Sequence, residues 1–160
     1  MKSTFASVLV GLTAIALADA APITKPAPMK DKPTLVGEWV VKGVTFNGTD
    51  ISGQVCTIRY TFQADGTWVD RQELQGMPVG TNGPETHWGS DPAADPPSID
   101  LMRGRPGPNQ MIFRGIYKVD GDTLVICYPA RPKSPRPTKF ESAEDSMLFL
   151  FTLKRVPPKN

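Results

Sequence analysis

The sequence predicts an all-β chain: a small antiparallel barrel, or strongly curved meander, of seven to eight strands. Three observations carry that expectation. Residues 115–128, GIYKVDGDTLVICY, form two apolar runs hinged on Asp120-Gly121. An Asp-Gly pair between such runs signals a hairpin, because a type I′ turn needs positive φ at both central residues. Comparable runs follow one another at short spacing, mostly joined by tight turns. No window shows the sustained three-and-four apolar spacing of an amphipathic helix. A meander of this length avoids open edges most economically by closing on itself. A two-layer sandwich satisfies the same pattern.

The N-terminus reads differently from the rest. Lys2 is followed by an apolar run over residues 5–17 and then by Ala18-Asp19-Ala20, the small-x-small form of a signal-peptidase site. Residues 1–20 are therefore expected to be a cleaved export signal, too short and too weakly flanked to anchor in a membrane. No cysteine stands near the cleavage point, which argues against a lipoprotein. Residues 21–33, APITKPAPMKDKP, are Pro/Lys-rich without apolar periodicity and read as a flexible tether. The β domain is expected over 34–156, with 157–160 as a tail. The compartment that follows is periplasmic or extracellular.

Within the domain the strand candidates come in order. GEWVVKGVTF covers 37–46; a second run covers 55–62 and ends at the turn Ala64-Asp65-Gly66, with glycine where positive φ is needed. The third is 67–74. Residues 75–84 are Gly/Pro-rich with little that could pack, and are expected to be a polar loop. Two short strands, 85–90 and 98–102, precede the loop RGRPGPN (103–109). The hairpin strands 111–119 and 123–128 follow, then a long basic loop over 129–142. SMLFLFTLK (146–154) closes the series, apolar enough for burial on both faces.

Composition excludes several function classes. Removing Lys2 and Asp19 with the leader leaves 17 basic and 15 acidic side chains, too even a balance to argue for nucleic acid or an anionic membrane. No later stretch is long and apolar enough for membrane insertion. An oxidising compartment would permit a disulfide between Cys56 and Cys127. Strand parity argues against it: Cys56 alternates with Ile58, Tyr60 and Phe62 on the core face, while Cys127 alternates out of the set Leu124, Ile126 and Tyr128, beside Arg114.

Catalytic patterns are missing. His87 is the only histidine and has no acidic or cysteine cluster beside it, so it makes neither a zinc site nor a triad. Cys127 has nothing in its sequence neighbourhood but Arg114 to lower its pKa. Asp65, Asp120 and Asp122 sit in turns, where Asp caps its own backbone, and no spaced run of oxygen ligands suggests calcium. Glu38 adjoins Trp39 but points to the opposite face. Asn47-Gly48-Thr49 has the form of an N-glycosylation sequon. Catalytic residues, metals and cofactors are all expected to be absent.

Several anchors stand in one order: LVGEW (35–39), YTFQADGTW (60–68), PSIDL (97–101), GIYKVDGDTLVICY, RPTKF (136–140) and a terminal LFTLKR. In this series the chain resembles the lipocalin-like domain found in many paralogous copies in planctomycete bacteria, a family that carries no assigned activity. The resemblance spans roughly residues 34–155, and the polar insert at 76–84 departs from it. It implies a lipocalin-like barrel and a bacterial source, which would make the sequon irrelevant. It also implies a closing device, in which Gly37 and Trp39 on the first strand meet Arg155 at the last, the guanidinium covering the indole.

If such a barrel holds a cavity, Tyr60, Trp68, Phe113 and Tyr117 are the expected lining. The resulting function is a non-enzymatic exported binder of a small apolar or amphipathic molecule. The alternative is a filled barrel acting as an interaction module for an extracellular protein or envelope polymer. Its recognition would come from residues 75–84 and from the basic loop with Arg131, Lys133, Arg136 and Lys139.

Overall fold

Apolar alternation sets the inward face of almost every strand. The computed structural model describes residues 34–53, 57–74, 77–81 and 85–158. The expected leader and tether, and Cys56 with its pairing question, lie outside these residues. The described part belongs to one unit, Asp31–Asn160. It holds ten strands and no helix: β1 (Gly37–Phe46), β2 (Thr49–Asp50), β3 (Thr57–Phe62), β4 (Trp68–Leu74), β5 (Met77–Thr81), β6 (Thr86–Asp91), β7 (Ser98–Arg103), β8 (Met111–Asp120), β9 (Thr123–Pro129) and β10 (Leu148–Arg155).

The strands form one antiparallel sheet in the order β5-β4-β3-β1-β10-β9-β8-β7-β6, with β2 beside β1. The first and last strands are thus neighbours, and the break in the ring falls between β5 and β6. The sheet curls into a half-barrel. Its two arms meet at one corner, where Thr67 bridges His87, Trp88 N donates to Gly66 O at 2.8 Å, and the Thr86 hydroxyl donates to Trp68 O.

Ten strands exceed the seven to eight expected. The two additions are β2, a two-residue return after β1, and β5, which falls inside the stretch read as a polar loop. β5 pairs with β4 from Leu74↔Met77 to Arg71↔Thr81. As the terminal strand it can carry Pro78, because no further neighbour calls on that nitrogen.

Turn chemistry also departs from expectation. The register Asp120↔Thr123 makes Gly121 and Asp122 the central pair. Of these only Gly121 has positive φ, at 57°, which is the II′ pattern rather than I′. The I′ pattern sits instead at Asn47-Gly48, with φ of 51° and 83°, closing Phe46 onto Thr49. The Asn-Gly of the sequon is a hairpin turn.

Trp39, Tyr60, Phe62, Trp68, Ile99, Leu101, Leu124, Ile126, Phe151 and Leu153 fill the concave face. In β1 the register shifts between Val41 and Gly43. That bulge at Lys42 lets both Val41 and Val44, three apart, join the same core. The convex face is covered in part by residues 130–147. Ile116 and Cys127 alternate out of the concave core, yet both are fully buried. The Cys127 thiol donates to Glu141 O at 3.6 Å, and Lys118 Nζ lies 5.1 Å from the Phe140 ring centre. Cys127 therefore faces outward as parity requires, but under a lid of chain rather than solvent.

Candidate functional site

One end of the half-barrel is solid and the other is hollow. At the solid end Trp39 is completely buried, and its indole N–H donates to Leu35 O at 2.8 Å. Arg155 lies over the ring with its guanidinium carbon 4.0 Å from the centroid, donating to Val36 O at 2.9 Å and to Thr34 O at 2.6 Å. A Cβ on Gly37 would stand 2.8 Å from Arg155 Nη1. These three residues meet as one packed group.

The hollow end is bounded by the opposite ends of the same strands. A cavity of about 560 Å³ opens there, walled by Val44, Ile58, Tyr60, Trp68, Leu101, Phe113, Tyr128, Phe149 and Phe151, with Asp70, Gln72 and Arg103 among them. The rings brace one another. Tyr60 meets Trp68 edge-on at 5.7 Å, and Tyr128 stacks on Phe151 at 5.5 Å. The walls are thus rigid and mostly apolar, as small-molecule sites tend to be.

Polar groups are few and placed together. Arg103 Nη2 donates to Asp70 Oδ2 at 2.6 Å, joining β7 to β4 across the break in the ring. Asp70 is buried. The Arg103 guanidinium carbon lies 5.2 Å from the Trp68 ring centre and 5.8 Å from that of Phe113, within cation–π range of both. Its Nε–H is enclosed and meets no acceptor. The Tyr60 and Tyr128 hydroxyls share a hydrogen bond of 3.2 Å. Burial pushes the Tyr60 phenol well above its ordinary pKa, and burial carries Tyr128 up to about 12. Both stay neutral across the physiological range.

Three of the four expected lining residues, Tyr60, Trp68 and Phe113, stand on this wall. Tyr117 does not: it lies near the solid end of β8, packed in the core. Asp70 and Arg103 were missed by sequence reasoning. Their signal was parity, since Asp70 follows Trp68 by two and Arg103 follows Leu101 by two. A polar residue in step with a buried apolar face is a flag for a site or a pair.

The basic residues do not converge. Arg136 turns into the fold, donating to Ile99 O at 3.1 Å, to Gly115 O, and to Asp100 Oδ1 at 2.8 Å. Arg131 and Lys133 are exposed, and Lys139 sits 3.9 Å from Glu141. The loop is thus a clasp carrying scattered charges, with Arg136 engaged in holding it to the fold and Arg131, Lys133 and Lys139 exposed. A larger depression of about 790 Å³ lies on the convex side along Glu38, Arg59, Arg71 and Glu73. Its charges largely serve each other, Arg59 reaching Glu38 at 3.1 Å and Glu73 at 3.5 Å. It has no aromatic wall.

Other candidates resolve locally. His87 is exposed on β6. Asp65 accepts from Thr67 N at 2.8 Å and from its hydroxyl at 2.7 Å, and those bonds lower its pKa. Burial raises the Cys127 thiol to about 11, which keeps it protonated and unreactive. Among the described residues no three His, Cys, Asp or Glu gather as metal ligands, and no helix is long and apolar enough to cross a membrane. Comparison with family models, curated proteins and solved structures finds no match to this chain.

Proposed function

We propose that this chain is an exported, non-enzymatic, lipocalin-like binding protein that holds a small apolar or amphipathic molecule in the hollow end of its half-barrel. It is a member, on this reading, of the planctomycete family that its motifs resemble. The observation that carries the reading is the cavity of about 560 Å³ walled by interlocked aromatic rings. That volume suits a small molecule, and the rings bury its apolar surface without having to reorganise. The local chemistry is that of holding rather than turning over: a paired Arg103–Asp70, two neutral phenols and a glutamine.

The competing reading, an interaction module for an extracellular protein, draws on a different feature. Leu74, Met77 and Val79 on the β4–β5 hairpin are 56%, 65% and 56% exposed, at the sheet's open edge. Such a surface is typical of partner contacts.

Native mass spectrometry on protein isolated from its own producing cell separates the two. An added mass that survives gentle ionisation and leaves on denaturation supports the carrier and weighs its cargo. A bare chain that co-purifies with another polypeptide, and releases it on Val79→Ser, supports the module and overturns the carrier.

A further inference from the structure

We propose that the hollow end of the half-barrel docks on a zwitterionic phospholipid surface, so that an apolar molecule passes between lipid and cavity without crossing water. The docking stands on the rim of the mouth itself; the passage rests on the cavity reading above.

Five large apolar side chains are exposed among the described residues, Leu74, Met77, Val79, Met111 and Met147, by 39% to 65%. Scattered singly over the surface they would need no explanation. They are gathered at one end. Leu74 follows the wall residue Gln72 by two along β4, and Met77 pairs with Leu74. Val79 adjoins Gly80, the strand partner of Gln72. Met111 precedes the wall residue Phe113 by two along β8. The Met147 carbonyl accepts the N–H of Ala130, another wall residue, at 2.9 Å. Strand parity puts Leu74 and Met111 on the concave face, one step beyond the wall. The five therefore lie around the mouth, on the β4–β5 hairpin, at the start of β8 and just before β10. The solid end exposes no such side chain among the described residues.

Two features favour a lipid surface over a protein. The apolar patch has a hollow at its centre. A partner protein, or a second copy of this chain, would have to fill that hollow to reach the packing density of an interface. Fluid acyl chains conform to a rim and can enter its opening. The exposed charges flanking the rim are also of both signs. Lys133 stands beside the start of β8 through its N–H to Ile112 O at 2.7 Å, with Arg131 two residues before it. Asp50, Glu144 and Asp145 gather near the Asn47-Gly48 turn. That mixture meets the paired phosphate and ammonium of a zwitterionic headgroup and gives no net pull towards an anionic one. Affinity then comes from sinking the rim's apolar side chains into the boundary between headgroups and acyl chains.

Flotation of the purified protein with small phosphatidylcholine vesicles tests this. Wild type is expected to float, with partitioning changed less than about twofold by added phosphatidylglycerol or by about 0.5 M salt. Leu74→Ser/Met77→Ser and Met111→Ser/Met147→Ser, both melting as the wild type does, should each weaken partitioning at least about fivefold. Arg131→Gln/Lys133→Gln should leave it within about twofold. Wild type that stays in the aqueous fraction, or Ser variants that float as well as it does, would overturn the proposal. So would binding confined to anionic vesicles and lost in salt, which would assign the docking to basic side chains. A wild-type dimer in lipid-free buffer that both Ser variants turn into monomer would give the rim to a second copy and overturn it likewise. Saturable Nile red binding in lipid-free buffer reads the cavity separately. Dye binding without flotation overturns the docking alone; flotation without dye binding counts against the cavity reading and leaves the docking in place.

Discussion

Three side-chain groups carry most of what the residues decide. At the solid end, Arg155 both packs on Trp39 and ties the last strand to the chain before the first through Val36 O and Thr34 O. Arg155→Ala should cost about 1–2 kcal/mol in urea unfolding, and Trp39→Ala about 3–5 kcal/mol, since it empties a fully buried indole site. An unchanged melting temperature for Trp39→Ala would refute the closing role. At the hollow end, Arg103→Ala takes the guanidinium from the buried carboxylate of Asp70 and should cost about 2–4 kcal/mol, more than Arg103→Lys. The tyrosine pair sets an alkaline limit. With the Tyr128 pKa raised to about 12 from an ordinary 10.0, the unfolded chain releases this proton first as pH rises. Its contribution is therefore whole below pH 10 and shrinks by about 1.4 kcal/mol per pH unit above it, until the folded pKa is reached. Denaturant midpoints measured from pH 9 to 12 should show that slope flattened in Tyr128→Phe. Trp39 and Arg155 were legible through motif resemblance. Asp70 and Arg103 were legible only through parity, because a polar residue on an inward position looks the same in sequence whether it makes an ion pair or an exception.

At the scale of elements, the segment 130–147 behaves as a clasp over the convex face. Arg136 is its pin, reaching Ile99 O, Gly115 O and Asp100, while Glu141 O closes over the Cys127 thiol. Native protein should leave Cys127 inert to maleimide, and Arg136→Ala should speed its labelling at least about tenfold by loosening the cover. Equal rates in both proteins would show that the loop is held elsewhere. Eight strands were readable from apolar alternation, with boundaries off by a residue or two at most places. β5 was not, because an edge strand needs no apolar face: Pro78 and Gly80 look like loop residues, and only backbone pairing with β4 makes them a strand. The Asp-Gly hairpin was foreseen but its central pair is Gly121-Asp122, and Asn47-Gly48 was read only as a sequon, for a related reason. Both Asn-Gly and Asp-Gly permit positive φ, and the register of the flanking strands, a long-range property, decides which pair occupies the centre.

For the whole molecule, the decisive feature is where the ring of strands fails to close. Pairing β1 with both β3 and β10 seals the usual seam between first and last strands and leaves the opening between β5 and β6. The corner at Thr67 and His87 draws the arms together at the solid end, and Arg103–Asp70 spans them near the hollow one. All-β class and curvature were foreseeable from strand spacing. The hollow was not, because whether a small barrel fills or leaves a space depends on side-chain packing across strands far apart in sequence. The most direct test of that hollow is a titration with Nile red, a neutral apolar dye, into wild type and Ala130→Trp. Ala130 lines the cavity, and its backbone N–H already donates to Met147 O at 2.9 Å, a bond independent of its side chain. Saturable one-to-one binding to the wild type, lost in a variant that melts at the same temperature, is the predicted result. No saturable binding, or equal binding by both proteins, would contradict a ligand site in the barrel.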